Sequence, residues 1–381
     1  MLKIGFDAKR YFWNPTGLGN YSRSLIRGLA RYHSAEVELH LYAARKNDQI
    51  LRSDPQASQY RLHAPAGMLG GIGWREWRVG RQVRDNGIQI FHGLSAELPL
   101  GIEKKVPLAA VTIHDLVAEK QPELFATVDS RIYRAKMKSA VRRAGLVLAT
   151  SEATRQEILE CYPTDPEKVQ VLYQSPAEAF FVGVPASELE RVRLKYRLPQ
   201  NYLLSVGTVI ERKRLLSTVR ALAHPDLRSE SPVLVVVGGL RSEYARRVQE
   251  EVRILGLHNR VLFHSDITSE DLPAVTQGAT LSLYPSIYEG FGIPVAEALV
   301  SKVPVITSRF SCLPEVAGPG AICVNPDDLD EYASAISLLL SDTPRRAQIA
   351  ELGQRHASRS FLPAKLAQRL LQLYQKRMPR A

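Results

Sequence analysis

Two doubly wound α/β domains in one chain are what this sequence predicts, and three observations predict them. The chain has 381 residues, too many for one compact core and enough for two domains of ordinary size. Short β-rich runs alternate with helical patterns in the first half, and the scheme repeats after a loop-like stretch near Ala177–Pro185. Most runs in the second half are continuously apolar, as a sheet buried on both faces requires.

In the first half the strand candidates are 2–7, Val37–Leu41, Ile88–Phe91, Leu108–Ile113, Leu146–Thr150 and Val169–Tyr173. Helical patterns lie between them at Tyr21–Arg31, Trp74–Asp85, Ser130–Arg143 and Glu152–Cys161. The second half offers strands at Tyr202–Val206, Val233–Val237, Val261–Phe263, Leu281–Tyr284, Pro304–Ile306 and Ala321–Val324. Leu366, Leu370, Leu371 and Tyr374 share one side of an amphipathic helix over Pro363–Lys376. The domains are therefore placed at 1–178 and 179–362, with the helix 363–376 beyond them. Ligands of such sheets sit outside the carboxyl ends of the strands. If those ends face each other, the site is a cleft between the domains.

Composition narrows the class. Hydrophobic residues make up 45% and charged residues 23%, the balance of a globular protein. Cys161, Cys312 and Cys323 are odd in number and lack metal spacing, which favours a reducing compartment. No signal-peptide core opens the chain and no apolar run is long enough to span a bilayer, so a cytoplasmic protein is expected. The net charge of +11 is shared almost evenly: residues 1–180 hold 25 basic and 19 acidic side chains, the remainder 25 and 20. So even a surplus argues against a dedicated nucleic-acid face and suits anionic partners such as nucleotide diphosphates or phospholipid headgroups.

Four strand ends carry the chemistry. The sharpest is Tyr284 to Glu297, reading Tyr-Pro-Ser-Ile-Tyr-Glu-Gly-Phe-Gly-Ile-Pro-Val-Ala-Glu. A strand gives way to a glycine-containing loop, and Pro294 suits the first position of a helix. Backbone N–H groups around Phe291, Gly292, Ile293 and Val295 would then face phosphate oxygens or a polar sugar. Glu289 on the loop and Glu297 one turn into the helix can reach one pocket, where carboxylates accept bonds from vicinal hydroxyls. The plainer reading makes Glu297 a helix-dipole partner and Glu289 a solvated loop residue. The second strand end, Gly207-Thr208-Val209-Ile210-Glu211-Arg212-Lys213, sets two cations where a diphosphate could leave. Away from a strand end, such a pair would be a solvated helix face.

The third is Gly17-Leu18-Gly19-Asn20-Tyr21, between the first strand and first helix. It has two glycines of a dinucleotide fingerprint, but Ser22 takes the third place and no ribose-binding acid follows the second strand. The fourth is His114-Asp115, with His92 to Glu97 at the end of the preceding strand; two polar ends side by side make a pocket.

Together these features resemble the retaining glycosyltransferases of family 4, with the GT-B fold, a group that includes bacterial mannosyltransferases of surface-polysaccharide synthesis. The resemblance covers essentially the whole chain. Glu289 and Glu297 match the family's Glu-x7-Glu motif, Gly17 and Gly19 its first-domain glycine loop, and Arg212-Lys213 its diphosphate-binding pair. The stretch Val261 to Ile267 resembles the one whose backbone meets the nucleobase. His114 matches the histidine that contacts the transferred sugar, and His92 to Pro99 the acceptor side, where His92, Glu97 and Tyr21 are the candidates. Thr208 stands where some members have arginine, Ile210 shifts the usual Glu-Pro-Arg-Lys-Asn pattern, and Leu362 replaces a common aromatic. The fold implies that helix 363–376 crosses back onto the first domain.

The expected activity is transfer of a hexose, mannose from GDP-mannose, to a glycan hydroxyl with retention of configuration. The resemblance implies no metal and no cofactor beyond the nucleotide-sugar donor, and a glycan or lipid-linked oligosaccharide as acceptor. Asp328-Leu329-Asp330 lies among helix-start residues and is not read as a metal motif. Arg131, Arg134, Lys138 and Arg142, with Trp74, Trp77, Arg78 and Arg81, suit docking on anionic lipid at the inner face of the plasma membrane, or equally a solvated basic face. The rival readings are a UDP-sugar transferase of the same family, a sugar-nucleotide epimerase of this fold, a nicotinamide oxidoreductase and a silent lectin-like module.

Overall fold

The computed structural model describes residues 1–65, 73–122 and 127–379. The chain divides into two compact units, Met1–Ser175 with Leu362–Ala381, and Pro176–Phe361. The first unit holds seven strands: β1 (Leu2–Asp7), β2 (Val37–Tyr42), β3 (Tyr60–His63), β4 (Ile90–Gly93), β5 (Leu108–Ile113), β6 (Leu146–Ala149) and β7 (Val169–Val171). The second holds β8 (Leu203–Val206), β9 (Leu234–Val237), β10 (Val261–His264), β11 (Leu281–Tyr284), β12 (Val305–Ser308) and β13 (Ala321–Val324). Every strand pairing is parallel.

Burial explains the apolar runs. All six residues of β5 and all four of β9 are buried, because helices cover both faces of each sheet. The edge strand β10 has only its first residue buried, and the edge strand β13 only its last. The sequence reading missed β3, which pairs with β2 at the other edge of the first sheet. Its Tyr-Arg-Leu-His is four residues long and only partly buried, too short to stand out as a run.

The order of the first sheet is β3-β2-β1-β4-β5-β6-β7, and of the second β10-β9-β8-β11-β12-β13. Each order reverses once, between β1 and β4 and between β8 and β11. At such a switch point the connections leave in opposite directions and open a crevice beyond the strand ends.

Helix Gly17–His33 packs on the first sheet with helix Pro363–Arg377 beside it. Leu370, Leu371 and Tyr374 enter the same core as Ile26 and Leu29. A Cβ at Gly28 would meet the Ala367 methyl at 3.4 Å, so a small residue there lets the two helices approach closely.

Candidate active site

At the second sheet's switch point, the loops after β8 and β11 are laced together. Gly207 ends β8 with φ +137°, and a Cβ there would lie 2.3 Å from Lys213 Nζ. Glycine thus supplies both the backbone angle and the space that the ammonium fills. Residues Glu211–Lys213 make one 3-10 turn, which Arg214 closes in the left-handed region at φ +50°. The turn sends Lys213 Nζ back over the ring of Tyr284, 5.0 Å from its centroid.

Glu289 is the knot of this loop pair. Its Oε1 accepts from Arg212 Nη1 at 2.5 Å, from the Tyr284 hydroxyl at 2.8 Å and from Ser286 Oγ at 2.9 Å. Arg212 Nη1 also donates to the Tyr288 carbonyl at 2.7 Å, and Ile287 N–H donates to the Arg212 carbonyl at 2.9 Å. Burial pushes the Glu289 carboxyl up, but Lys213, Arg212 and the two hydroxyls outweigh it and hold the carboxyl below its ordinary value. The plainer reading of Glu289 as a solvated loop residue does not hold: the side chain is 12% exposed and holds three donors.

Glu297 behaves differently. It lies in helix Ile293–Val300, half-buried, and burial raises its carboxyl to about 7 against the pull of Lys213. Burial lowers the Lys213 ammonium, while Glu289 and Glu297 work against that shift. Among the described residues neither Lys213 nor Glu297 makes a side-chain hydrogen bond or salt bridge. Gly292, at φ +89°, caps the helix; a Cβ there would strike Leu313 at 2.6 Å. Pro294 takes the second helical position, one later than its pattern suggests. The Phe291 ring is buried edge-on to Phe361, 5.2 Å between centroids, so its backbone is what it can offer a ligand. Ile293 and Val295 follow in the first turn, but the Val295 N–H, expected to face a ligand, donates instead to the Gly292 carbonyl at 2.9 Å. Thr208 stands exposed beside Gly207, and Ile267 follows β10, two strands from β8.

The first unit corrects several expectations. Gly17 and Gly19 do not form an open loop; they are the first turn of helix Gly17–His33. Asn14 Oδ1 accepts from the N–H groups of Thr16 (2.8 Å) and Gly19 (3.2 Å), and a Cβ at Gly19 would lie 1.8 Å from the Asn14 carbonyl oxygen. Glycine at 19 is thus required by the chain folding onto itself, whereas a Cβ at Gly17 would meet nothing within 4 Å.

His92 and Tyr21 are core residues, not exposed acceptor contacts. Fully buried His92 bonds the Tyr374 hydroxyl through Nδ1 at 2.6 Å and Thr112 Oγ1 through Nε2 at 2.8 Å. The same Thr112 hydroxyl bonds the Tyr21 hydroxyl at 2.9 Å. Burial drives the His92 ring to about 3, and His114 to about 4, so both are neutral. His114 Nε2 donates to the Leu94 carbonyl at 2.8 Å, and its Nδ1 lies 3.3 Å from the Gln174 amide. Trp74, read as part of an aromatic-basic patch, is also buried; Trp77 is 76% exposed, with Arg78 and Arg81 exposed near it.

Sequence reasoning missed Asp7 and Arg75 at the first switch point. Arg75 donates through Nε to Asp7 at 2.7 Å and through Nη1 to Glu97 at 2.5 Å. Asp7 ends β1 and Glu97 follows β4, the two strands flanking the reversal. A polar residue closing an otherwise apolar strand was the available signal for Asp7. Arg75, in a wide helical turn at Trp74–Arg78, carried none. Among the described residues no three His, Cys, Asp or Glu side chains cluster as a metal site would need. Asp328 caps helix Leu329–Ser341 by accepting from Glu331 N–H.

Comparison with known proteins bears on both units. A model described as Glycosyltransferase Family 4 matches residues 15–174, and one described as Glycosyl transferases group 1 matches residues 187–356. The O-antigen chain mannosyltransferase RfbU of Salmonella typhimurium is 33% identical over 226 residues, which are 59% of this chain and 59% of that protein. That alignment therefore spans less than two thirds of the relative. O-antigen chain mannosyltransferase B of Escherichia coli is 28% identical over 352 residues, covering 90% of this chain and 91% of its own length. Among solved structures, Anabaena HepE in complex with UDP-glucose superposes with a TM-score of 0.74 at 19% identity, covering 99% of this chain and all of that one. At that identity the likeness concerns the fold.

Proposed function

We propose that the chain, whose two halves match the models described as Glycosyltransferase Family 4 and Glycosyl transferases group 1, is a family 4 glycosyltransferase of the GT-B fold that transfers mannose from GDP-mannose to a glycan hydroxyl with retention of configuration. The observation that carries the proposal is the pair Lys213 and Glu297, without hydrogen-bonded partners beside the Arg212–Glu289 ion pair at a switch point. A half-buried cation and carboxyl that the fold leaves without hydrogen-bonded partners suit a ligand that brings both phosphate and hydroxyls. Likeness to two O-antigen mannosyltransferases supports mannose as the sugar and surface polysaccharide as the product's destination.

In this reading the bond from the anomeric carbon to the diphosphate oxygen breaks and a bond to the acceptor oxygen forms. The acceptor's proton leaves with the diphosphate. Lys213 and Arg212 stabilise the charge gathering on the leaving group, the part a metal ion would otherwise play. The Ile293 N–H, at the start of helix Ile293–Val300, assists them. Glu289, held rigid by its three donors, accepts from the sugar's hydroxyls with its second oxygen. Glu297 accepts from the ribose hydroxyls. His114 belongs to the first unit, where both of its ring nitrogens already have partners. The enzyme works at the cytoplasmic face, where exposed Trp77, Arg78, Arg81, Arg131, Lys138 and Arg142 would meet anionic lipid carrying the acceptor.

A thermal-shift panel of GDP-, UDP- and ADP-sugars, followed by product analysis in excess EDTA, tests this. GDP-mannose should raise the melting temperature, and the product should keep the donor's anomeric configuration. Stabilisation by UDP-sugars alone would move the reading to a UDP-dependent transferase, and activity lost to EDTA would remove the roles given to Arg212 and Lys213. Co-sedimentation with anionic but not neutral vesicles is expected; equal binding to both removes the membrane role.

A further inference from the structure

We infer that Ser311, on the loop after β12, is a positioning residue for Glu289: its one hydroxyl holds both backbone groups of Glu289 and so aims the carboxylate at the donor sugar. The inference rests on the glycosyl-transfer reading above and adds to it a residue from the neighbouring strand end. Three donors hold the Glu289 carboxylate, but all three grip Oε1, at the far end of the side chain. Where Oε2 points depends as much on the near end, the backbone that carries the side chain.

Ser311 secures that near end twice. Its Oγ donates to the Glu289 carbonyl at 2.6 Å and accepts from the Glu289 N–H at 3.2 Å. The peptide units on either side of the Glu289 Cα are therefore tied to a single atom, which restrains both backbone angles at once.

The strand beside β11 supplies the rest of this brace. Thr307 of β12 pairs with Tyr284, and its Oγ1 donates to the Tyr284 carbonyl at 2.7 Å. Ser308 Oγ donates to the Ser286 carbonyl, and Cys312 Sγ to the Glu289 carbonyl at 3.1 Å. Donors at 307, 308, 311 and 312 thus follow the β11 loop in order, past Tyr284 and Ser286 to Glu289. Thr307, Ser308 and Cys312 are fully buried, so the loop is held from the core side. Cys312 shares only the carbonyl, as a weak thiol donor; the N–H of Glu289 is left to Ser311.

Backbone strain singles out Ser311 among these donors. Its φ is +57°, a left-handed angle that glycine adopts freely and serine at a cost. Such an angle persists where the surroundings demand it, and it gathers at functional sites. What serine adds over glycine there is the hydroxyl, and its proton and a lone pair are both taken up by Glu289. A displaced carboxylate lowers the rate without emptying the donor site, because reaction needs closer alignment than binding does.

Ser311→Gly and Ser311→Ala test this in the full chain. Both remove the hydroxyl, but only glycine relaxes the left-handed angle, so Ser311→Gly should melt at the higher temperature of the two. Their rates should nonetheless agree. GDP-mannose hydrolysis, which needs no identified acceptor, should show kcat lowered by about tenfold to a hundredfold in both. KM and the calorimetric affinity for GDP should stay within about twofold of the parent, and Cys312→Ala should keep kcat within about twofold. Hydrogen exchange over residues 286–291 of the free protein should quicken by about tenfold or more in both Ser311 variants. The inference is overturned if either variant hydrolyses GDP-mannose as the parent does, if kcat follows melting temperature across the pair, or if GDP affinity falls with kcat. Should Ser311→Ala not fold, Ser311→Gly decides alone, by being stable and slow or not. If the parent does not cleave GDP-mannose, hydrogen exchange judges the brace by itself, and unchanged exchange overturns it; if the parent does not bind GDP-mannose either, the donor reading fails separately.

Discussion

The two switch points share a motif and differ in how much of it is spent. Each pairs an arginine with a carboxylate at 2.5 Å, Arg212 with Glu289 in one unit and Arg75 with Glu97 in the other. In the second unit Glu289 also takes two hydroxyls, while Lys213 and Glu297 beside it remain without hydrogen-bonded partners. In the first unit the charges balance, and the nearby histidines close on Tyr374, Thr112, Leu94 and Gln174. Satisfied polar groups stabilise and orient; unsatisfied charges in a half-buried site await a ligand of opposite character. The contrast sets a cation and a carboxyl without hydrogen-bonded partners in the second unit against a closed polar network in the first.

The largest effect should come from Glu289→Ala. Removing the carboxylate takes the charged partner from Arg212 and the acceptor from the Tyr284 hydroxyl, and losing one member of such a pair costs about 3–5 kcal/mol. Chemical unfolding should report that loss, with turnover falling as well, while Glu289→Gln keeps the fold. If Glu289→Ala proves as stable as the parent, the knot is not structural and the contrast weakens.

Lys213→Met comes next. The stem is retained and a desolvated charge removed, so stability should hold while kcat/KM falls by roughly 10²–10³, about 2.7–4 kcal/mol of transition-state stabilisation. An unaffected rate constant would remove Lys213 from the chemistry.

His92→Leu should do the reverse. It strands the Tyr374 hydroxyl in the core and leaves Thr112 only its bond to Tyr21, at a cost of about 1–3 kcal/mol. Unfolding should show that cost, and donor affinity should not change. A selective loss of transfer without destabilisation would return His92 to the acceptor site.

Glu297 gives the smallest and most pH-dependent effect. Its folded-state pKa, about 7, lies above the ordinary 4.5, so the folded chain holds this proton more tightly across that interval. Its favourable contribution is complete below the ordinary range and is lost as pH rises toward 7. Against Glu297→Gln, the parent should lose about 1–2 kcal/mol over that window, less than the whole shift because the carboxyl is only half-buried. GDP-mannose binding should strengthen through the same window as the carboxylate forms, and stay flat in the variant. Matching pH profiles in the two proteins would free Glu297 from both roles.

How far the sequence alone reached follows from the range of each signal. Continuous apolar runs placed β5 and β11 at their observed bounds, since burial on both faces writes itself into neighbouring residues. The loop-to-helix turn at Gly292 and Pro294 was legible for the same reason: glycine, proline and their spacing act locally. Short edge strands such as β3 write too little to be read.

What only the tertiary structure decided is which polar residues are consumed and which are left. His92 and Lys213 look alike in the sequence, each a polar residue at or just beyond a strand end. One is closed by a tyrosine 282 positions away, while the other stands over a ring from the neighbouring strand. Asp7 and Glu97, 90 positions apart, follow or end neighbouring strands because β1 lies beside β4, and Arg75 bridges them. Local pattern sets the kind of element and the residues at its end. Hydrogen-bond partners at those ends are set by strand order and by the closing helix, and periodicity within a segment carries no record of either.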